Sequence, residues 1–414
     1  MQLSAYPPTR NAMKYIIILG DGMSDRPVES LGGKTPLMVA DIPAMDSLCA
    51  RGRCGKFITV PSDMTPGSAV ANLAVLGYNP AEVFQGRGVL EAASMGVELN
   101  SDDLAMRCNL ICIEGGKIKN HSAGHISTAE SHELIEALNR ELGSEMMVFH
   151  PGVSYRHLFV MKGGSSAISC TPPHDVPGAD FSAVMIRGSA PEGEETASIL
   201  NRLVLNSQAI LEKHPVNMKR ISQGKDPANS VWFWSPGHKP AMKTLTELYG
   251  IRGAVISAVD LVKGLGIYAG MDVIEVEGAT GLYDTNYEGK AQAAVDALKA
   301  GYDFVYLHVE ASDEAGHEGN VDLKIKTIEY LDSRIVKFIS METEKMKEPV
   351  SIAVTPDHGT PCQVRTHVHD PVPFLIYHPG EKPDSVQRYD EVSTESGSYG
   401  TIRGNTFIRS LLKS

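Results

Sequence analysis

Carboxylates and imidazoles recur in this chain directly after runs of aliphatic and β-branched residues. Asp21 follows the run Lys14 to Leu19. Asp313 and His317 follow Gly301 to Val309. Asp357 and His358 follow Val350 to Val354, and His367 and His369 come a few residues later. Asp and His offer hard oxygen and borderline nitrogen donors, which suit Mn, Zn or Mg-like ions. The four-residue spacing from Asp313 to His317 lets the two side chains converge on one ion. Any one of these residues taken alone is equally well explained as a helix cap or a polar loop group. The set Asp21, Asp313, His317, Asp357, His358 and His369 at one rim is better explained as a metal centre. His367 and His369 occupy alternate positions and face opposite ways in an extended segment, so one of them is a ligand. His369 is taken as that ligand, with His367 as the spare.

A second group of residues surrounds Ser68. Pro66-Gly67 is a turn, and the apolar stretch Ala69 to Gly77 reads as a helix, which puts Ser68 at a helix N-terminus. The ordinary account of such a serine is an N-cap. Beside a metal set it reads as a nucleophile. Free backbone N–H groups at the helix end would hold a phosphoryl group, and a metal on the hydroxyl oxygen would lower its pKa. No Gly-x-Ser-x-Gly elbow surrounds Ser68. Gly32-Gly33-Lys34-Thr35 fails as a phosphate loop because Val28 stands where the upstream glycine belongs.

Four short apolar runs must position these residues. Lys14 to Leu19, Gly301 to Val309, Val350 to Val354 and Val372 to Tyr377 have the pattern of strands buried on both faces. Pro373 suits an edge strand or a strand start. Helical stretches precede the second and third runs, at Lys290 to Leu298 and Leu323 to Ile339. This alternation predicts an α/β fold with a doubly wound, mostly parallel sheet. In such a sheet the functional crevice lies at the carboxyl ends of the strands. The middle of the chain, from about Ala105 to Trp234, reads as an inserted α+β domain. Its apolar runs are shorter and its turn signals denser, as at Glu114-Gly-Gly116 and Lys162-Gly-Gly164. Ile199 to Leu211 is amphipathic, and Trp232 and Trp234 read as strand core. Met1 to Ala12 reads as a loose lead-in.

Composition bounds the possible functions. The chain has 414 residues, 42% hydrophobic and 21% charged, enough for a full core without staples. A net charge of −12 argues against a duplex nucleic-acid binder. No apolar run is long enough for a membrane span or a signal-peptide core. Six cysteines without Cys-x-x-Cys spacing fit reduced thiols in a cytoplasm.

With these residues in place, the chain resembles the alkaline-phosphatase superfamily. Within it, the chain resembles the archaeal-type cofactor-independent (2,3-bisphosphoglycerate-independent) phosphoglycerate mutases. The matching stretches run in family order over nearly the whole chain. They are Ile18-Leu-Gly-Asp-Gly22, Gly33-Lys-Thr-Pro-Leu37, Thr65-Pro-Gly-Ser68, Gly86-Arg-Gly88, Arg107-Cys-Asn109, Ser122-Ala-Gly124, Tyr155-Arg156, Gly278-Ala-Thr-Gly281, Asp313-Glu-Ala-Gly-His317 and Thr355-Pro-Asp-His-Gly359.

The resemblance implies a discontinuous phosphatase-like catalytic domain, residues 1–85 and 245–414, with residues 86–244 inserted as a substrate-binding cap. It implies two divalent metal ions, manganese first, with zinc, cobalt and magnesium as other candidates, and no 2,3-bisphosphoglycerate. One ion would be held by Asp313, His317 and His369, the other by Asp21, Ser68, Asp357 and His358. Ser68 would be the nucleophile that takes the phosphoryl group of 3-phosphoglycerate and returns it to give 2-phosphoglycerate. The substrate carboxylate then needs cationic clamps; His121, Arg156 and Lys263 are the candidates. The expected partner is thus a small phosphorylated molecule, with no nucleic acid and no membrane.

Two cap positions depart from the branch. His125 stands where an arginine is common, and Ser235-Pro-Gly-His-Lys-Pro240 replaces an arginine-bearing turn. A second reading follows from that difference: phosphotransfer to another small hydroxyl acceptor such as homoserine, or plain phosphomonoester hydrolysis. A metal-binding module without catalysis is a third. It would have no need for a serine at a helix end beside two ion sites.

Overall fold

The computed structural model describes residues 13–413; the lead-in Met1 to Ala12 lies outside the described residues. The chain divides into two compact units, Met1–Phe84 with Met242–Ser414, and Gln85–Ala241.

The first unit is built on one eight-stranded sheet. Its spatial order is Asp272–Val273, Gly253–Ile256, Phe304–Val309, Lys14–Gly20, Val350–Thr355, Val372–Tyr377, Arg53–Ile58 and Gly400–Arg403. All neighbours pair in parallel except those of Val372–Tyr377, which is antiparallel on both sides. The central strands Lys14–Gly20, Phe304–Val309 and Val350–Thr355 are buried at every position. Helices therefore cover both faces, as a parallel sheet requires. On one face Ile16, Ile18, Val305, Leu307, Ile352 and Val354 pack under Leu48, Ala294, Leu298, Ile335 and Ile339. The helices supplying that layer include Pro43–Arg51 and Tyr287–Lys299.

Of the two readings that Pro373 leaves open, an edge strand or a strand start, the second holds: Val372–Tyr377 lies inside the sheet, and Pro373 is near its start. Pro373 is tolerated because it is the second residue of the strand, and the ladder to Val350–Thr355 begins only at Leu375. Its missing N–H therefore breaks no bond on that side. The helical stretch placed at Leu323 to Ile339 is longer and not uniform. An α-helix Val321–Tyr330 passes into a π turn, Leu331–Val336, and then into Lys337–Thr343. Asp332 in that π turn accepts N–H bonds from Ala44 at 3.1 Å and Met45 at 2.7 Å. It caps the helix Pro43–Arg51 from across the core, where the local N-cap residue Ile42 has no side chain able to do so.

The second unit holds a five-stranded antiparallel sheet. Lys117–Asn120, Asp103–Glu114, Arg156–Lys162 and Met147–Val153 follow in that order, and Ser230–Gly237 also pairs with Asp103–Glu114. The helices Thr128–Leu142 and Glu194–Leu211 pack their apolar stripes into its core through Leu134, Leu138, Leu200 and Val204. Trp232 and Trp234 are buried in the same core. No helix among the described residues is long and apolar enough to cross a membrane.

Candidate active site

Three adjacent parallel strands of the first unit end at one rim, and each hands over to a ligand-bearing segment. Gly20 pairs with Val309 and Leu19 with Thr355, so the residues that follow these strands meet. Asp21 leaves the first strand. The helix Ala311–Glu318 begins two residues after Val309 and carries Asp313 and His317 one turn apart; His317 Nε2 lies 3.2 Å from Asp313 Oδ2. After Val350–Thr355 come Asp357 and His358. His358 Nε2 lies 3.5 Å from Asp21 Oδ1 and 3.4 Å from Asp357 Oδ2.

Ser68 starts the helix Ser68–Val75, but it is not the cap. Gly67 holds the N-cap position and no side chain caps the helix. The Ser68 hydroxyl instead lies 3.1 Å from His358 Nε2. The segment before the helix thus presents the hydroxyl to the cluster rather than to the helix backbone.

The electrostatics of this rim are unusual. Asp21, Asp313 and Asp357 are buried, and Glu310 lies close by. Burial pushes Asp21 well above the ordinary carboxylate range, and the neighbouring Asp357, Asp313 and Glu310 push it further. Burial, together with Asp313 and Glu314, raises Glu310 to about 8. Burial also acts to raise Asp313, but hydrogen bonds to His317 and His367 hold it well below its usual value. His317 is raised to about 9, chiefly by its bond to Asp313. His308 is lowered to about 3 by burial. Its Nε2–H donates to Asp21 Oδ2 at 2.8 Å, leaving Nδ1 to accept from Ser257.

These residues fit a divalent cation. Asp21 Oδ1 and Glu310 Oε2 are buried without a hydrogen-bond donor among the described residues. Such oxygens are costly to bury unless something neutralises them. Asp21, Asp357 and His358 bring ligand atoms within 4.8 Å of one another, and so do Asp313, His358 and His367. Mixed carboxylate and imidazole donors at that spacing suit Mn, Zn or Mg-like ions.

One expected ligand is corrected. His367, not His369, stands beside Asp313 and His317: His367 Nε2 is 3.0 Å from His317 Nε2 and 3.5 Å from Asp313 Oδ1. His369 turns away, and its Nε2 lies 2.9 Å from the Met64 carbonyl oxygen. The reason is register. Val368 N–H bonds the Gly359 carbonyl at 3.0 Å, and the two histidines flanking Val368 point to opposite sides.

Comparison with known proteins adds the family. The profile described as 2,3-bisphosphoglycerate-independent phosphoglycerate mutase matches residues 49–217. A Methanosarcina mazei protein of that name is 52% identical over 405 residues, covering 97% of this chain and all of the relative. The chain belongs to this mutase family. A Geobacter sulfurreducens protein named as a probable mutase of the same kind is 50% identical over 390 residues, 93% of this chain and 96% of the relative. Among solved structures, a Pyrococcus horikoshii protein matches with a TM-score of 0.81 at 33% identity, covering 97% of this chain and 96% of that one. The cofactor-independent phosphoglycerate mutase from Thermoplasma acidophilum matches with a TM-score of 0.70 at 29% identity, covering 97% and 99%.

The mutase resemblance implied three substrate clamps. His121 and Arg156 both lie in the second unit around Tyr155: the His121 ring is 5.5 Å from the Tyr155 ring, and the Arg156 guanidinium sits 4.9 Å over it. His174 and His125 join them, the former 6.0 Å from His121 and the latter 6.3 Å from Tyr155. Arg156 supplies the positive charge of this aromatic group, since burial lowers both His121 and His174 below the ordinary histidine value. Lys263, in the first unit, is engaged elsewhere: its ammonium bonds both oxygens of Glu275 at 2.8 and 2.9 Å. The two departures from the family pattern both adopt left-handed backbone, with φ of 52° at His125 and 53° at Ser235.

Sequence reasoning missed several residues around the cluster. Asn72, one turn after Ser68, donates to Asp357 Oδ2 and to the Ser68 carbonyl, both at 2.8 Å, and accepts from the Tyr306 hydroxyl. Thr360 donates its hydroxyl to Asp313 Oδ1. His308 lies inside the strand Phe304–Val309 and Glu310 directly follows it. Position supplied a signal for three of them: Asn72 shares a helix face with Ser68 at i, i+4, and His308 and Glu310 are polar groups at the end of an apolar strand.

Proposed function

We propose that this chain interconverts 3-phosphoglycerate and 2-phosphoglycerate through a phosphoserine at Ser68. The observation that carries this reading is the Ser68 hydroxyl, freed from capping and set 3.1 Å from His358 Nε2 at a rim of buried carboxylates. Membership of the mutase family, with relatives matched across 93–97% of the chain, favours isomerisation over phosphorylation of homoserine.

Two divalent ions fit the donors, manganese being our first choice. Asp313, His317 and His367 would hold one; Asp21, Ser68, Asp357 and His358 would hold the other. When bound, such ions lower the pKa of a hydroxyl and neutralise phosphoryl oxygens. The chain's own residues do the rest. Asn72 fixes Asp357 and the first turn of the helix. The free N–H groups at the start of that helix would stabilise a phosphoryl group carried by Ser68. Neutral His308, held by Ser257, orients Asp21. His121 and Arg156 would hold the glycerate carboxylate while it reorients, and water must be kept from the phosphoserine meanwhile.

The reading is tested by quenching the manganese-loaded protein in acid during turnover of 3-phosphoglycerate and mapping phosphate by mass spectrometry. Phosphate on Ser68 supports it; an unmodified Ser68 at every quench time overturns it.

A further inference from the structure

Lys324 has no place in the chemistry described above, yet it is completely buried. Its ammonium uses all three donors. It bonds the Asp25 carboxylate at 2.9 Å, the Ser24 carbonyl at 3.1 Å and the Thr360 carbonyl at 2.9 Å. Each partner belongs to a segment that carries cluster residues. Ser24 and Asp25 lie just after Asp21, and Thr360 lies just after Asp357 and His358. Lys324 itself sits on the helix Val321–Tyr330, which follows the Asp313–His317 helix after two residues. One ammonium thus ties together the three segments that leave the three central strands.

We infer that Lys324 is a positioning residue, setting the separation of the cluster carboxylates and imidazoles through Thr360. Thr360 is the pivot. Its carbonyl accepts from Lys324, its N–H donates to the Ser24 carbonyl at 3.2 Å, and its hydroxyl donates to Asp313 Oδ1. Its hydroxyl also lies 3.3 Å from His358 Nδ1. A shift of Thr360 therefore moves the bonding of both groups of ligands. Asp25 adds rigidity by accepting from Cys362 N–H at 3.1 Å, and the Ser24 hydroxyl and Asp25 N–H bond Glu391. Stability alone is a poor reason for this arrangement, because a fully buried ion pair is often no better than apolar residues of similar volume. Fixed geometry at three backbone segments is what apolar residues cannot supply. This inference rests on the reading of the cluster as a metal site.

The test compares manganese binding to the metal-free full chain, followed by electron paramagnetic resonance, in three proteins. They are the unaltered chain, the Asp25→Asn/Lys324→Met double variant, which removes the pair without leaving a lone buried charge, and Lys324→Gln. Thermal unfolding in EDTA checks the fold of each. The unaltered chain binds manganese. Both variants bind about ten- to a hundred-fold more weakly, the range typical of losing a group that orients metal ligands. At saturating manganese, kcat falls and KM for 3-phosphoglycerate stays within about twofold, since the substrate contacts are untouched. Folded variants that bind manganese as the unaltered chain does would overturn the inference. So would collapse of both variants, which would make Lys324 a general folding residue. Failure of the unaltered chain to bind manganese would instead remove the metal reading itself.

Discussion

Ser68 Oγ lies 3.1 Å from His358 Nε2, and the helix that Ser68 begins has no side-chain cap. A serine at a helix start ordinarily spends its hydroxyl on the backbone N–H groups of its own first turn. Here that duty is unfilled. Ser68→Ala is therefore expected to leave thermal stability nearly unchanged, within about 0.5 kcal/mol, since alanine suits a helix and no cap is lost. Mutase activity is expected to fall by about four orders of magnitude or more, as for other nucleophile deletions. A variant that loses about 1 kcal/mol of stability but keeps its activity would mark Ser68 as a cap after all.

The two histidines around Val368 separate by function. His367→Ala removes an imidazole 3.0 Å from His317 and should weaken manganese binding by at least about tenfold. His369→Ala removes a bond to the Met64 carbonyl and should change manganese affinity by less than about threefold, with a stability loss of about 1 kcal/mol. Calorimetric titration of the two metal-free proteins checks both. The reverse order would restore His369 as the ligand.

Asp21 makes the site costly when metal is absent. Its folded-state pKa lies well above the unfolded value, because of burial and then of Asp357, Asp313 and Glu310. An acid moved in that direction favours folding only while protonated, so the metal-free chain loses stability as pH rises above the unfolded-state value. The loss is about 1.4 kcal/mol for each pH unit that separates the folded and unfolded midpoints of such an acid. Asp21→Asn should thus raise the urea midpoint of the EDTA-treated chain at about pH 7.5, well above the ordinary carboxylate range. Manganese should raise the midpoint of the unaltered chain and leave that of the variant much less changed. A metal-free variant less stable than the unaltered chain would contradict this balance of charges.

His157 gives the second unit an acid sensitivity of its own. It is 2% exposed, its Nε2 has no hydrogen-bond partner among the described residues, and burial lowers it to about 3. In the unfolded chain a histidine titrates near about 6.5. Between those values the unfolded state holds a proton that the folded state refuses, so stability falls as pH drops below about 6.5. The expected slope is about 1.4 kcal/mol per pH unit from this group. The His157 ring should show no titration by NMR between about pH 8 and about pH 5 in the folded protein. A midpoint near about 6 would contradict its neutral burial.

Much of the first unit was legible in the sequence because its strands are buried on both faces. Lys14–Gly20, Phe304–Val309 and Val350–Thr355 are mostly apolar runs, and each is followed within two residues by a carboxylate, Asp21, Glu310 and Asp357. Strand ends and cluster residues are therefore read together. The interior place of Val372–Tyr377 was not legible, since proline at its second position mimics an edge signal and only the pairing register shows that the ladder to Val350–Thr355 begins beyond it, at Leu375. The choice between His367 and His369 was not legible either. Alternation says that they point apart, but only the Val368–Gly359 bridge says which one points inward.

Residues that act across the sequence were invisible for a related reason. Asp332 caps a helix that lies far away along the chain, at Met45, and Lys324 joins Ser24 to Thr360. On their own helices both read as ordinary charges, and nothing local to either marks it as buried. By contrast, Asn72 stood one helical turn from Ser68, where the i, i+4 rule points. It was overlooked although the pattern was present.

The most direct measurement is phosphorus NMR of the metal-stripped protein refilled with manganese, given 3-phosphoglycerate and no 2,3-bisphosphoglycerate. The 2-phosphoglycerate signal should grow to equilibrium without release of inorganic phosphate, and should be absent with Ser68→Ala or with EDTA. Inorganic phosphate as the sole product, or isomerisation that persists in Ser68→Ala, would contradict a phosphoryl shift through Ser68.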